Sequence, residues 1–113
     1  MRRGEIWTAA GGSGYAAKPR PVVIVQDDNF HATESITVCP FTTDPTDAPL
    51  LRIPVEPNQD NGLRTACRLM VDKITTVSKS RIGYRVGTLD PEDIVRLNQA
   101  LIVFLGLAAR RLT

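Results

Sequence analysis

The stretch from Lys18 to Asp28, KPRPVVIVQDD, joins a charged entrance to an apolar run of β-branched residues. β-Branched side chains are stiff and pack well on a pleated surface, so residues 21–26 are predicted to form a buried strand. Arg20 occupies the entrance between two prolines, and its guanidinium stays charged at physiological pH. Such a cation either caps the strand in solvent or points at a ligand, and other segments of the chain decide between these alternatives.

Further strands are predicted on both sides of this one. Short β-rich or alternating apolar segments bounded by turn residues are typical of half-buried strands. They cover residues 5–9, 35–41, 51–55, 65–71, 74–77 and 84–88. Prolines lie before, within and after the segment 51–55, at positions 49, 54 and 57. Because proline removes a hydrogen-bond donor from the ladder, this segment is expected at a sheet edge.

The C-terminal segment changes its apolar period to that of a helix. Asp90 is a favourable N-cap, and Pro91 suits the first helical position. One helix is therefore predicted over residues 91–105, with Gly106 as its stop. Many short antiparallel strands followed by one helix indicate a mainly β fold, a small barrel or rolled sheet with the helix packed against it.

The far end of the predicted helix is apolar nearly all round, which is more than one sheet face requires. A second subunit is the expected cover for this surface, and the protein is predicted to be a homodimer. The residues expected near the subunit contact are Ile102, Phe104 and Leu105.

Composition and length predict an ordinary globular chain with one domain over residues 1–113. Its 14 Lys and Arg against 12 Asp and Glu give a net charge of +2, which excludes a basic footprint of the histone type. The longest apolar stretch, residues 100–109, is too short to span a bilayer. We therefore expect a cytoplasmic protein without a membrane partner.

The cysteines and the single histidine do not form a recognisable metal motif. Cys39 and Cys67 lie in predicted strands without C-x-x-C spacing, and His31 is the only histidine. No metal site and no cofactor are expected, and reduced core thiols are favoured over a disulfide.

Four ordered segments give the chain a family resemblance. They are RRGEIW, KPRPVVIVQDD, VCPFTT, and MVDKITTVSKSRIG followed by VGTLDPEDIVRLNQAL. In order and approximate spacing the chain resembles the MazF/PemK toxins, the endoribonuclease half of bacterial toxin–antitoxin pairs, over residues 2–107. The resemblance implies an SH3-like barrel dimer that cuts single-stranded RNA at short sequences without a metal. It also implies a MazE-like antitoxin whose extended tail covers the RNA groove.

The resemblance places the catalytic residues on Arg20 and Thr42, with Thr43 adjacent. Metal-free RNA cleavage requires that the 2′-hydroxyl attack its own phosphate and that the added negative charge be stabilised. A guanidinium grips two phosphate oxygens at once, and a threonine hydroxyl can donate to a third. Without the resemblance, Thr42 is equally well explained as a turn hydroxyl before Asp44 and Pro45.

Candidate RNA-binding residues surround this pair. A tyrosine in a glycine-rich loop can stack on a base, and basic side chains can contact phosphates, although the latter can also form a solvated face. The candidates are Ser13, Tyr15, Lys18, Gln26, Asp72, Lys73, Lys79 and Arg81. Asp72 has the alternative of a structural, ion-paired carboxylate. Beside it, Lys73 and Thr75 depart from the glutamine and arginine of the family pattern, so a second catalytic pair and the cleavage sequence do not transfer.

Two alternatives of a different class remain open from the sequence. One is a non-enzymatic gyrase poison resembling CcdB, which shares the fold and would act through its C-terminal helix surface. The other is an RNA-binding barrel without catalysis. The pair Arg20 and Thr42 is the discriminating feature, because a gyrase poison does not need it.

Overall fold

Seven antiparallel strands and one α-helix form the regular structure of residues 1–11 and 18–108, the part of the chain described by the computed structural model. The strands are β1 (Glu5–Ala9), β2 (Arg20–Ile24), β3 (Ser35–Thr42), β4 (Arg52–Val55), β5 (Cys67–Met70), β6 (Thr75–Ser78) and β7 (Ile82–Thr88). The helix is α1 (Pro91–Phe104), and short 3₁₀ turns cover Asp28–Phe30, Val71–Lys73 and Lys79–Arg81. Two predicted RNA-binding residues, Ser13 and Tyr15, lie outside the described residues.

The sheet has the order β4-β5-β3-β2-β1-β7, with β6 beside β3. β3 pairs with β2 along one edge, while its other edge pairs with β6 at Ser35–Val38 and with β5 at Phe41 and Thr42. β3 is therefore shared by two groups of strands, as expected for a rolled sheet. The predicted edge position of β4 is confirmed, since β4 pairs with β5 alone.

Both faces of the central strands are buried, which explains the uninterrupted apolar run in β2. Val23 belongs to the larger core cluster, which includes Leu97 and Leu101 of α1. Val22 and Ile24 belong to a smaller cluster on the other face, with Ile36 and Val38 of β3 among its members. Alternate residues of one strand thus pack into two cores.

The helix begins and ends close to where the sequence predicts. Asp90 has the extended backbone of an N-cap, but its side chain makes no cap hydrogen bond and instead accepts one from Asn58 Nδ2 at 2.8 Å. Gly106 adopts a φ of +72° just beyond the helix, which is the left-handed conformation expected at a helix stop. α1 therefore also anchors the loop that contains Asn58.

Cys39 and Cys67 are buried and free, which confirms the prediction of reduced core thiols. None of the helices in the described part of the chain is both long and apolar enough to cross a membrane.

Candidate active site

A cleft of about 410 Å³ opens where β2 begins and β3 ends. Part of its lining is apolar and comes from prolines and core side chains, including Phe41 and Leu63. The polar part is formed by Thr8, Arg20, Thr42, Thr43, Arg64, Thr65 and Tyr84. The two predicted catalytic residues therefore line one cleft.

The pairing of β2 with β3 explains why Arg20 and Thr42 meet. Val22 lies opposite Pro40, and Val23 lies opposite Cys39. Extending this antiparallel register by two residues places Arg20 opposite Thr42. Residues opposite each other on paired strands have Cβ atoms about 4.5–5.5 Å apart. Arg20 and Thr42 can therefore be neighbours in the fold although 22 residues separate them in the sequence.

The cleft has a positive electrostatic character. Arg20 is exposed, and no carboxylate oxygen of residues 1–11 or 18–108 lies within 4.0 Å of its guanidinium. Arg64 is exposed in the same cleft, and no Asp or Glu is among the described residues that line it. An anion entering the cleft therefore meets two arginines that keep their hydrogen-bond donors available.

The Thr42 hydroxyl is oriented by the backbone that follows it. Its Oγ1 accepts a hydrogen bond from the Asp44 N–H at 3.1 Å, which is the turn geometry that the sequence offered as the alternative explanation. A hydroxyl that accepts from an amide still has its own O–H to donate. The turn and a role as donor to a phosphate oxygen are therefore compatible.

The thiol in the cleft is not activated as a nucleophile. Cys67 lines the cleft, and burial, followed by the nearby Glu56 carboxylate, raises its pKa. Burial likewise raises the pKa of the core thiol Cys39 to about 12. Because the thiolate is the reactive form, both side chains are protonated and inert at neutral pH.

One wall of the cleft is a loop fixed by a fully buried amide. Asn61 Oδ1 accepts from the N–H groups of Asn58 and Leu63, both at 3.0 Å, and its Nδ2 donates to the Glu56 carbonyl at 2.8 Å. The next residue, Gly62, has a φ of +67°, and a Cβ there would lie 2.3 Å from the Val86 carbonyl oxygen. The loop can approach β7 this closely only with glycine at that position.

The other predicted RNA-binding residues are spread over the molecule. Lys18 is exposed and lies two residues before Arg20. Arg81 directly precedes Ile82, whose backbone lies two strand spacings, about 10 Å, from that of Arg20, because Ala9 pairs with both residues. Lys79 follows the end of β6 that pairs with Ser35, so it lies about 23 Å along β3 from Thr42.

Gln26 and Asp72 are engaged in structural contacts away from the cleft, and Lys73 lies beside Asp72. Gln26 Nε2 donates to the Phe30 carbonyl at 2.9 Å, and its Oε1 accepts from the Thr37 N–H at 3.1 Å. Asp72 forms an ion pair with Arg52, while its neighbour Lys73 is exposed. RNA contact by these residues stays a prediction.

Sequence reasoning missed two residues that the fold brings to the cleft. Tyr84 has an exposed fraction of 69%, and Arg64 comes from the loop after β4. In the sequence, Arg64 is one of two arginines in the basic segment 64–68, and nothing in that segment singles it out. The sequence offered no bulge signal for Tyr84, because Gly83 precedes the predicted strand 84–88, and only the structure shows that β7 begins at Ile82.

A family model described as PemK-like, MazF-like toxin of type II toxin–antitoxin system matches residues 2–105. The chain belongs to this family. A relative from Mycolicibacterium smegmatis, named probable endoribonuclease MazF, is 58% identical over 108 residues, which cover 96% of this chain and 99% of the relative. These matches favour the MazF-like toxin over the alternative of a CcdB-like gyrase poison.

Solved structures of MazF-like toxins share the fold. A mycobacterial endoribonuclease in complex with its cognate antitoxin has a TM-score of 0.77 at 23% identity, over 97% of this chain and 99% of the other. A MazE–MazF crystal structure from Deinococcus radiodurans has a TM-score of 0.75 at 13% identity, over 94% and 96% of the two chains. The predicted class, an antiparallel sheet with a C-terminal helix, is confirmed.

Proposed function

We propose that this endoribonuclease toxin cuts single-stranded RNA without a metal ion, in the cleft between Arg20 and Thr42. The observation that carries the proposal is that Arg20 and Thr42 line one positive cleft, just beyond the Val22–Pro40 end of the ladder between β2 and β3. Family membership and the 58% identical relative named an endoribonuclease support the same activity. Metal independence comes from the family resemblance.

The reaction is a transesterification within one nucleotide. The 2′-hydroxyl loses its proton and attacks the adjacent phosphorus, the bond from phosphorus to the 5′-oxygen breaks, and that oxygen takes up a proton. The products are a 2′,3′-cyclic phosphate and a 5′-hydroxyl. Negative charge accumulates on the non-bridging oxygens during the attack, so donors aimed at those oxygens lower the barrier.

Arg20 and Thr42 are suited to that stabilisation. A guanidinium with a pKa above ~12 stays protonated, so we assign Arg20 to gripping two phosphate oxygens rather than to removing a proton. The Thr42 O–H, oriented through the Asp44 N–H, donates to a phosphate oxygen as well. Arg64 adds positive charge for an adjacent phosphate.

Two protein partners complete the proposed function. A cognate MazE-like antitoxin inhibits the toxin in the cytoplasm, and support comes from the mycobacterial neighbour of the same fold in complex with its antitoxin. The toxin is a homodimer. A groove lined by Ile102, Leu105 and Leu107 leaves these apolar side chains exposed, and the buried Asn98 Oδ1 beside it has no hydrogen-bond partner among the described residues. A second subunit would cover the apolar groove and can supply the missing donor.

The decisive experiment incubates the purified protein with a mixed RNA pool in excess EDTA and sequences the new ends. Arg20→Ala is expected to abolish cleavage, and Arg20→Lys to impair it strongly, because an ammonium lacks the fork that binds two oxygens. Thr42→Ala should lower the rate by about 10²- to 10³-fold, as for loss of one oxyanion donor. Thr43→Ala is the matched control and should change the rate little.

Thermal unfolding of the same variants separates catalysis from folding. Arg20 is exposed and adds little to the core, so its variants should melt close to the wild-type temperature. An Arg20→Ala protein that melts normally and cuts RNA at the wild-type rate would remove the arginine from the mechanism. RNA left intact by the wild type would contradict the proposed activity itself.

A further inference from the structure

β7 contains a bulge opposite Thr8 at the edge of the cleft. Ala9 lies opposite Ile82 and Trp7 lies opposite Arg85, so two steps along β1 correspond to three along β7. The extra residue falls in the segment Gly83–Tyr84. Bulges interrupt the alternation of side chains and re-aim them, often next to active sites.

The bulge decides which way Tyr84 points. In a regular strand Tyr84 would share the face of Ile82, which packs in the smaller core cluster with Ala9. The extra residue instead moves Tyr84 to the side of Thr8, and both residues line the cleft. The aromatic ring therefore lies in the cleft that contains Arg20.

Two contacts fix the bulge. The Tyr84 N–H donates to Thr8 Oγ1 at 3.0 Å, and Thr8 is itself buried. A Cβ on Gly83 would lie 2.3 Å from the same Thr8 Oγ1, so only glycine allows this approach. The backbone of Tyr84 is thus held by a buried hydroxyl while its side chain remains 69% exposed.

An exposed, anchored aromatic ring among arginines has the chemistry of a nucleotide subsite. Single-stranded nucleic acids are bound by cations that contact the phosphates and aromatic rings that stack on the bases. The bulge turns Tyr84 away from the face of the smaller core cluster and towards the cleft. The absence of acidic residues among the described lining favours RNA over a basic peptide.

We propose that Tyr84 stacks on a base of the bound RNA next to the scissile phosphate and thereby determines how well that nucleotide is held. Tyr84 is a substrate-binding residue, while Arg20 and Thr42 act on the phosphate. The proposal rests on the proposed function, because it identifies a subsite of the same cleft.

The test measures binding of an RNA that carries a 2′-O-methyl group at the scissile nucleotide, which blocks attack. Tyr84→Ala is expected to weaken binding about 10- to 100-fold, the range for loss of one stacked base. Tyr84→Phe keeps the ring and should bind within about threefold of wild type. Phe30→Ala is the matched control, since Phe30 is also an exposed aromatic, at 61%, and lies outside the cleft lining.

Abasic substitution locates the stacked base. Each base near the cut is removed in turn, and the loss of affinity is compared between the wild type and Tyr84→Ala. Removal of the base that Tyr84 contacts should weaken the wild type but have little further effect on Tyr84→Ala, because the two changes delete the same interaction. On cleavable RNA, Tyr84→Ala should raise KM more than it lowers kcat.

Two outcomes overturn the proposal. One is wild-type RNA affinity for Tyr84→Ala, and the other is an equal effect of every abasic position on both proteins. In each case an inactive Arg20→Ala shows that the endoribonuclease cleft stands and only the stacking role fails.

Discussion

At the level of single residues, Arg20 and Glu5 are both charged residues at the start of a strand, but only Glu5 is paired within the described chain. Arg20 begins β2 with an exposed guanidinium that has no carboxylate within 4.0 Å in the described chain. Glu5 begins β1 with a carboxylate that is fully engaged. Its oxygens accept from the Arg2 N–H at 2.8 Å and from Trp7 Nε1 at 3.0 Å, and they pair with Arg85 Nε at 3.3 Å.

The pKa of Glu5 predicts a stability effect that depends on pH. Partial burial raises the pKa of this carboxyl, but the hydrogen bonds from Arg2 and Trp7 and the charge of Arg85 outweigh burial and lower the pKa from its ordinary 4.5. A lowered folded-state pKa stabilises the protein above the unfolded value, and this contribution is lost as the pH falls through the folded value. Glu5→Gln should therefore reduce the free energy of unfolding at pH 7 by about 1–2 kcal/mol.

Denaturant unfolding of wild type and Glu5→Gln between pH 2 and pH 7 checks this sign. The difference between the two proteins should shrink as the pH falls below the ordinary Glu pKa of 4.5. A difference that stayed constant over this range would show that packing, and not the charge of Glu5, is responsible.

At the scale of elements, the loop between β4 and β5 is a rigid wall of the cleft. Asn61 has an exposed fraction of 0% and uses both atoms of its amide inside the loop. Asn61→Asp is expected to destabilise the fold by about 2–4 kcal/mol, because a carboxylate facing the Glu56 carbonyl replaces a donor and buries a charge. Chemical denaturation of this variant, beside the exposed control Gln59→Ala, measures the effect.

The same substitution has a functional consequence. The loop carries Leu63 and Arg64 into the cleft, so loosening it should weaken RNA binding even where the protein remains folded. An Asn61→Asp protein with wild-type stability and RNA affinity would contradict the assignment of this loop as a fixed wall.

At the scale of the whole molecule, the C-terminal end of α1 predicts the oligomeric state. Ile102 is 44% exposed and Leu105 50% exposed, at a groove that also contains the buried Asn98 Oδ1, which has no hydrogen-bond partner within residues 1–11 and 18–108. We expect a dimer in sedimentation experiments at micromolar concentration. Ile102→Asp should shift it to monomer, since a charge in an apolar contact must be desolvated.

Phe30→Asp is the control for this experiment, because Phe30 is an exposed apolar residue outside the groove. It should leave the association unchanged. A wild-type protein that sediments only as a 12.4 kDa species would contradict the prediction of a homodimer.

The secondary-structure elements and the family were predictable from the amino-acid sequence. Apolar and alternating segments predicted the strands to within two residues at every end, and the N-terminal signals Asp90 and Pro91 placed the helix, because local propensity and capping act over a few neighbouring residues. The ordered segments around Arg20 and Asp72 indicated a MazF-like endoribonuclease toxin, and family membership and the named relative confirm this prediction.

Which residues share the cleft depends on how the strands pair and was not predictable from the sequence. The pairing of β2 with β3 brings Arg20 and Thr42 to the same cleft, and long-range pairing of this kind leaves no mark in either segment alone. Tyr84 reaches the cleft because β7 bulges against Thr8, 76 residues away in the chain. Lys79, although basic and close to Tyr84 in sequence, lies towards the opposite end of β3. Residue type and spacing identify candidates, but strand register and bulges decide where their side chains point, because both depend on partners distant in sequence.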